Sequence, residues 1–177
     1  MNSLFESEHL IIRTANKEEI PWIMALEQND ENKNYVFHGS YEDHLEEIQE
    51  TSTYLCIVEE KKEHKKVGYF IGAYDSSNDI FEFRRFVIDS KGKGYGTEVT
   101  KALMNYTFST LKINRFWLDV FTYNTKGIHI YEKLGLQRDG IVREGYKDGS
   151  VYKSYYLYSI LKDEYLKIYS INKKNME

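Results

Sequence analysis

Gly92-Lys93-Gly94-Tyr95-Gly96-Thr97 separates a run patterned as a strand, Phe81-Glu82-Phe83-Arg84-Arg85-Phe86-Val87-Ile88, from a run patterned as a helix, Thr97 to Leu111. A glycine-rich turn between strand and helix constrains the chain in two ways. It puts a sheet and a helix in consecutive layers, and it leaves backbone that can hold an anion. Glycine admits positive φ and close approach of a ligand. Successive N–H groups at such a turn point outward, and the dipole of the following helix adds to their attraction for phosphate.

Several folds use turns of this kind, so the alternatives have to be eliminated by spacing. No window fits Gly-x-x-x-x-Gly-Lys-Ser/Thr, the nucleoside-triphosphate loop. A dinucleotide fingerprint needs glycine three places after its second glycine, and after Gly94 that place is Thr97. A kinase glycine loop needs His-Arg-Asp and Asp-Phe-Gly downstream, and neither occurs.

Bulk properties narrow the class further. A length of 177 residues predicts a single domain, and 41% hydrophobic content suffices for a core. A formal charge of −4 argues against nonspecific nucleic-acid binding, which needs a basic surface. No run of 18 apolar residues suggests a membrane span, and Met1 to Glu6 lacks the pattern of a secretory signal. One cysteine, Cys56, permits no internal disulfide and fits a reducing cytoplasm. It stands in Tyr54-Leu55-Cys56-Ile57-Val58 and reads as a packing residue.

Periodicity supplies the remaining elements. Leu10 to Arg13 reads as a strand, Asn16 to Asn29 as a helix with Pro21 in its first turn, and residues 29 to 39 as a polar loop. Ser40 caps a second helix to about Glu50, with Leu45 and Ile48 inward. Three strands follow, Tyr54 to Glu60, Val67 to Tyr74 and Ile80 to Ile88. After the glycine loop and its helix come a strand, Arg115 to Phe121, and a second helix. A hairpin closes the pattern, Leu136 to Glu144 and Val151 to Ile160 around Lys147-Asp148-Gly149. From Leu161 onward a polar helix or tail is expected. Pattern alone gives α/β or α+β with one sheet.

Two motifs carry a resemblance. Lys91-x-x-Gly94-x-Gly96 is similar to the coenzyme A pyrophosphate loop of the GNAT acetyltransferases, Gln/Arg-x-x-Gly-x-Gly/Ala, with lysine in the first position. Asn124-Thr125-Lys126-Gly127-Ile128-His129-Ile130-Tyr131-Glu132-Lys133-Leu134-Gly135-Leu136 resembles the family's Asn-x-x-Ala-x-x-x-Tyr-x-x-x-Gly-Phe, with Gly127 and Leu136 as departures. Asn124 suits a helix N-cap, Tyr131 follows seven residues later on the same face, and Gly135 suits the stop. The resemblance spans about Leu10 to Leu161 and looks closest to the ribosomal-protein N-terminal and spermidine acetyltransferase branch.

That resemblance implies a mixed α/β fold ordered β-α-α-β-β-β-α-β-α-β-β with a splayed central sheet. It implies transfer of acetyl from acetyl-coenzyme A to a small amine or a peptide N-terminus by direct attack, in the cytoplasm, with no metal, nucleic acid or membrane involved. A homodimer is compatible with it. The cofactor residues it points to are Phe86, Val87 and Ile88, whose backbone would pair with the pantetheine arm, then Lys91, Gly92, Lys93, Gly94, Tyr95, Gly96 and Thr97 for pyrophosphate, and Asn124 and Tyr131. Tyr131 would be the general acid, or else a packing tyrosine; His129 faces elsewhere on the helix. Glu82 would accept the amine's proton, or else be held in an ion pair by Arg84 on the same face.

Asp30, Glu31, Glu42, Asp43, Glu46, Glu47 and Glu50 fall in the segment that shapes the acceptor side in this family. They read either as an attractor of cations or as a solvated helix face. The alternative to an active enzyme is a GNAT-like module that binds acetyl-coenzyme A without turnover, as a sensor or interaction partner.

Overall fold

In the computed structural model the backbone is described from residue 3 to residue 174 and the side chains from 3 to 170. The strands are β1 (Phe5–Glu6), β2 (Leu10–Thr14), β3 (Thr53–Glu60), β4 (Lys65–Asp75), β5 (Ile80–Ile88), β6 (Arg115–Phe121), β7 (Gln137–Asp148) and β8 (Val151–Leu161). The helices are α1 (Ile20–Gln28), α2 (Tyr41–Gln49), α3 (Tyr95–Tyr106), α4 (Thr125–Lys133) and α5 (Lys162–Lys174). The strands form one sheet in the order β1-β2-β3-β4-β5-β6-β8-β7, antiparallel throughout except where β5 meets β6.

The centre of the sheet is buried on both sides, as its near-continuous apolar strands dictate. In β3, Cys56 and Val58 face one cluster while Leu55 and Ile57 face the other, by simple alternation. Val99, Leu103 and Met104 of α3 cover the first face together with Leu134, just beyond α4, and Tyr165 of α5. Ile23 and Leu26 of α1 cover the second, with Ile48 of α2 beside them. Cys56 is fully buried and its thiol is pushed up by burial, which makes it a packing group.

β5 and β6 pair only from Ile80↔Arg115 to Glu82↔Trp117. Beyond Glu82 they part. β6 instead stays paired with β8 along Arg115↔Leu161 to Phe121↔Tyr155, and β5 with β4 as far as Ile88↔Gly68. The backbone of β5 from Phe83 onward therefore has one unpaired edge, facing a wedge between the two halves of the sheet.

The structure adjusts four sequence expectations. The first helix is split, with a 3-10 turn at Lys17–Glu19 before α1. In α2 the fully buried residue is His44, while Leu45 and Ile48 are only half-buried. The apolar rule missed His44 because two carboxylates provide for it. α3 starts at Tyr95 rather than Thr97, and its end widens into a π turn, Thr107–Leu111, closed by Lys112 at φ 60°. The hairpin strands run longer, to Asp148 and Leu161. The expected C-terminal helix is α5, and the chain's last few residues lie outside the described ones.

Candidate active site

The glycine loop opens α3. Gly94 is its N-cap at φ 79°, Gly92 also has φ 79°, and a Cβ at either position would meet no atom within 4 Å. Both glycines thus serve a backbone shape rather than close packing, and they leave open space beside the helix terminus. The first-turn N–H groups of Tyr95, Gly96 and Thr97 have no partner within the helix. They face a cleft of about 500 Å³ that extends along the free edge of β5 to the start of α4.

Phe86, Val87, Ile88, Lys91, Gly92, Gly94, Tyr95, Gly96, Thr97, Asn124 and Tyr131 all line this cleft. Lys93 does not. Its ammonium donates to Glu60 at 3.2 Å and lies over the Tyr95 ring. Lys91 is held inward, donating to the Asn32 side chain at 2.8 Å, and burial lowers its pKa. Asn124 caps α4 by accepting from the Gly127 N–H at 3.0 Å. That leaves its amide N–H groups toward the cleft.

At the wedge the cleft meets a second, smaller cavity of about 50 Å³. Tyr35, Val36, Phe86, Asn124 and Tyr131 line both. Asp119 of β6 enters only the smaller one, with Phe83, Phe121 and Tyr155. No hydrogen bond or ion pair holds the Asp119 carboxylate among the described residues, and burial, helped by the negative charge of Glu82, raises its pKa to about 6. Burial and the neighbouring Asp119 charge likewise raise the Tyr131 phenol above its ordinary value.

Glu82 lies outside the lining and accepts two hydrogen bonds from Arg84, at 2.8 and 3.1 Å. The ion pair with Arg84, rather than a free base, describes its position. Asp119 was not singled out from the sequence. A signal was present: it is the lone acid in an otherwise apolar and aromatic strand, Phe116-Trp117-Leu118-Asp119-Val120-Phe121.

The wall of the small cavity is held by a different kind of cluster. Glu27 of α1 is fully buried and accepts from Tyr69 at 2.5 Å, Arg85 at 3.1 Å and the Gly39 N–H at 2.9 Å, with His44 at 3.4 Å. A Cβ on Gly39 would come within 2.7 Å of His44 Nε2, so only glycine fits there. Burial pushes the Glu27 carboxyl up, but these donors outweigh it and its pKa is lowered. Burial also opposes the His44 charge, yet Glu27 and Glu47 raise its pKa to about 9.

The loop between α1 and α2 crosses the wedge. Tyr123 donates to the Asn34 carbonyl at 2.6 Å, and the Phe37 ring lies 5.2 Å from Phe121 and 4.6 Å from Tyr146. None of the seven acids between Asp30 and Glu50 lines the small cavity. Asp30 pairs with Lys33, Asp43 completes the cap of α2, Glu47 binds His44, and Glu50 accepts from Ser52 and Thr53. Glu31 borders the larger cleft, and Glu42 and Glu46 lie on α2 away from both cavities. Among the described residues no group of acids, histidines and cysteines could hold a metal, and no helix is long and apolar enough to cross a membrane.

This arrangement has known counterparts. The family model described as "Acetyltransferase (GNAT) domain" matches residues 9–137. The uncharacterized N-acetyltransferase YoaA of Bacillus subtilis is 26% identical over 175 residues, covering 92% of this chain and 98% of its own. The spermidine N(1)-acetyltransferase of Vibrio cholerae is 25% identical over 173 residues, covering 90% and 97%. The crystal structure of a Vibrio cholerae spermidine N-acetyltransferase in complex with CoA and spermine superposes with a TM-score of 0.78, at 21% identity, over 89% of this chain and 98% of that one. A family match over well over half of its length, together with the same fold, establishes that this chain belongs to the GNAT acetyltransferases.

Proposed function

We propose that this chain is an active N-acetyltransferase, moving an acetyl group from acetyl-coenzyme A to a primary amine by direct attack. The observation that carries the reading is the junction of the two cavities, where Tyr131 borders both and Asp119 enters the smaller one. The cleft fits the coenzyme by its chemistry. Unpaired helix-terminal N–H groups and two glycines at positive φ suit a pyrophosphate, and the free edge of β5 suits the amide-bearing pantetheine arm as an added strand. Asn124 would contribute its amide to the same ligand. Acetyl-coenzyme A would supply the activated acetyl thioester.

The chain's own groups would manage the protons. Asp119, with a pKa of about 6, is ionised at neutral pH and would accept the amine's proton as the nitrogen attacks, when the forming bond makes that proton acidic. Glu82, held by Arg84, then acts through charge, by raising the pKa of Asp119. Tyr131, with its pKa raised, stays protonated at its hydroxyl and would donate toward the departing sulfur. Delivering a proton from a phenol to a departing thiolate, whose thiol has an ordinary pKa near 8.5, is uphill. The same apolar surroundings raise the thiol as well, and that narrows the gap. Positioning by the rigid wedge supplies the rest.

Thiol release from acetyl-coenzyme A, measured across a panel of primary amines, tests the reading. Tyr131→Phe keeps the ring and should leave the affinity for acetyl-coenzyme A nearly unchanged while lowering kcat by about 10²-fold, the low end for a general acid. A chain that binds the coenzyme by calorimetry but releases no thiol with any amine would instead be a binding module. Unchanged kcat in a chemistry-limited Tyr131→Phe would return that residue to packing.

A further inference from the structure

The lining of the small cavity bears on which amine it would accept, a point that rests on the acetyltransferase reading above. Its volume of about 50 Å³ accommodates an ammonium group and little more than the carbon that bears it. Asp119 is the one acid that lines it, and it is not engaged by any cation among the described residues. Tyr35, Phe37, Phe121 and Tyr155 make up much of the remaining wall, so the substrate beyond that first carbon would meet aromatic surface.

This wall is largely aromatic, and the cations at it are already paired, Arg84 with Glu82 and Arg85 with Glu27. Arg84 and Arg85 line the cavity. The Lys153 ammonium, bound to Asp148 at 2.6 Å, lies 5.5 Å from the centre of the Phe121 ring and 5.9 Å from that of Tyr123. A cation thus already occupies the ring faces that a second substrate ammonium would otherwise use. The acids that could balance such a charge are engaged or turned away. Glu27 is buried among its four donors, Glu82 belongs to Arg84, Asp148 to Lys153, and the acids of the α1–α2 segment do not reach the cavity.

We infer that the acceptor is a primary monoamine whose remainder is uncharged and aromatic or apolar, and that polyamines are poor substrates despite the names of the relatives. The cavity offers one unpaired carboxylate for one ammonium, aromatic surface for the rest of the substrate, and no unpaired carboxylate for a second ammonium.

The test compares kcat/KM for 2-phenylethylamine and hexylamine with that for spermidine and spermine, using the full chain at saturating acetyl-coenzyme A. The two monoamines should exceed both polyamines by at least about tenfold, the discrimination one uncompensated charge commonly brings. In Lys153→Glu the ratio of spermidine to 2-phenylethylamine should rise by about tenfold or more, with Lys153→Gln intermediate. Turnover of spermidine above that of the monoamines would overturn the inference and leave the acetyltransferase reading intact. So would a ratio unmoved in both Lys153 variants. No turnover with any amine, despite bound coenzyme, would overturn both.

Discussion

Glu27 and Asp119 are two carboxylates drawn out of water beside the same small cavity, and their surroundings push them in opposite directions. Glu27 accepts from Tyr69, Arg85 and the Gly39 N–H with His44 beside it, and its pKa is lowered despite complete burial. Asp119 has no donor among the described residues, and burial lifts its pKa to about 6. Burial alone therefore says little about a carboxylate. The donors around it decide whether it fastens helices to a sheet or waits for a proton. Glu27 pins α1 and the turn at Gly39 against β4 and β5; the wedge leaves Asp119 to an incoming group.

Substitution should separate the two roles. Glu27→Ala strands His44 and Arg85 without their acceptor, and unfolding by denaturant should show a loss of about 3–5 kcal/mol, the range for breaking a buried ion pair. A loss below about 1 kcal/mol, the range of exposed pairs, would mean that water enters and the cluster is no anchor.

Asp119→Asn should do the reverse. Stability at pH 7 should hold or rise, because an unpaired buried charge is gone, while kcat/KM should fall by about 10²–10⁴-fold. The pH profile sharpens this. In the native protein the limb of kcat/KM governed by Asp119 should rise with an apparent pKa near 6, and the variant should lack it. A limb that persists in Asp119→Asn would assign the proton to another group, Glu82 first.

The histidine of the Glu27 cluster gives a smaller effect. His44 would titrate near 6.5 in the unfolded chain and titrates at about 9 when folded. Its charge thus contributes in full below 6.5 and is lost as pH rises through 9, so Tm should decline across that window. His44→Gln should flatten the decline. The smallest effect belongs to the acids of α2 that line neither cavity. Glu42→Lys combined with Glu46→Lys should leave the KM for any acceptor within a few-fold, because neither residue reaches the cavity. A large change would show that α2 shapes acceptor entry after all.

Much of the glycine-loop side of the cleft was legible in the sequence because its signals are local. Gly92 and Gly94 at positive φ, Asn124 as a cap and Gly135 at φ 94° each report a backbone requirement confined to one turn. Tyr131 lines the same cleft as Asn124, as its seven-residue spacing suggested. Lys93 was read with the pyrophosphate loop, yet it does not line the cleft, because its direction depends on Glu60, a partner in β3.

The side of the small cavity was the reverse. The seven acids from Asp30 to Glu50 stood out by composition, and the structure engages most of them in caps and pairs away from the cavity. Asp119, a single letter in an apolar strand, became the unpaired acid of the cavity because β5 and β6 stop pairing after Glu82. His44, not singled out in the sequence, is fully buried because Glu27 and Glu47 converge on it.

The sequence by itself determined the elements, the two motifs and hence the family, since strand alternation, helix periodicity and turn glycines act over a few residues. Only the tertiary structure decided which acids are satisfied and which is free. That choice depends on contacts such as Glu27 with Tyr69 and Arg85, between residues 42 and 58 positions apart. No local pattern encodes the meeting of such distant groups, and their meeting sets the pKa of each one.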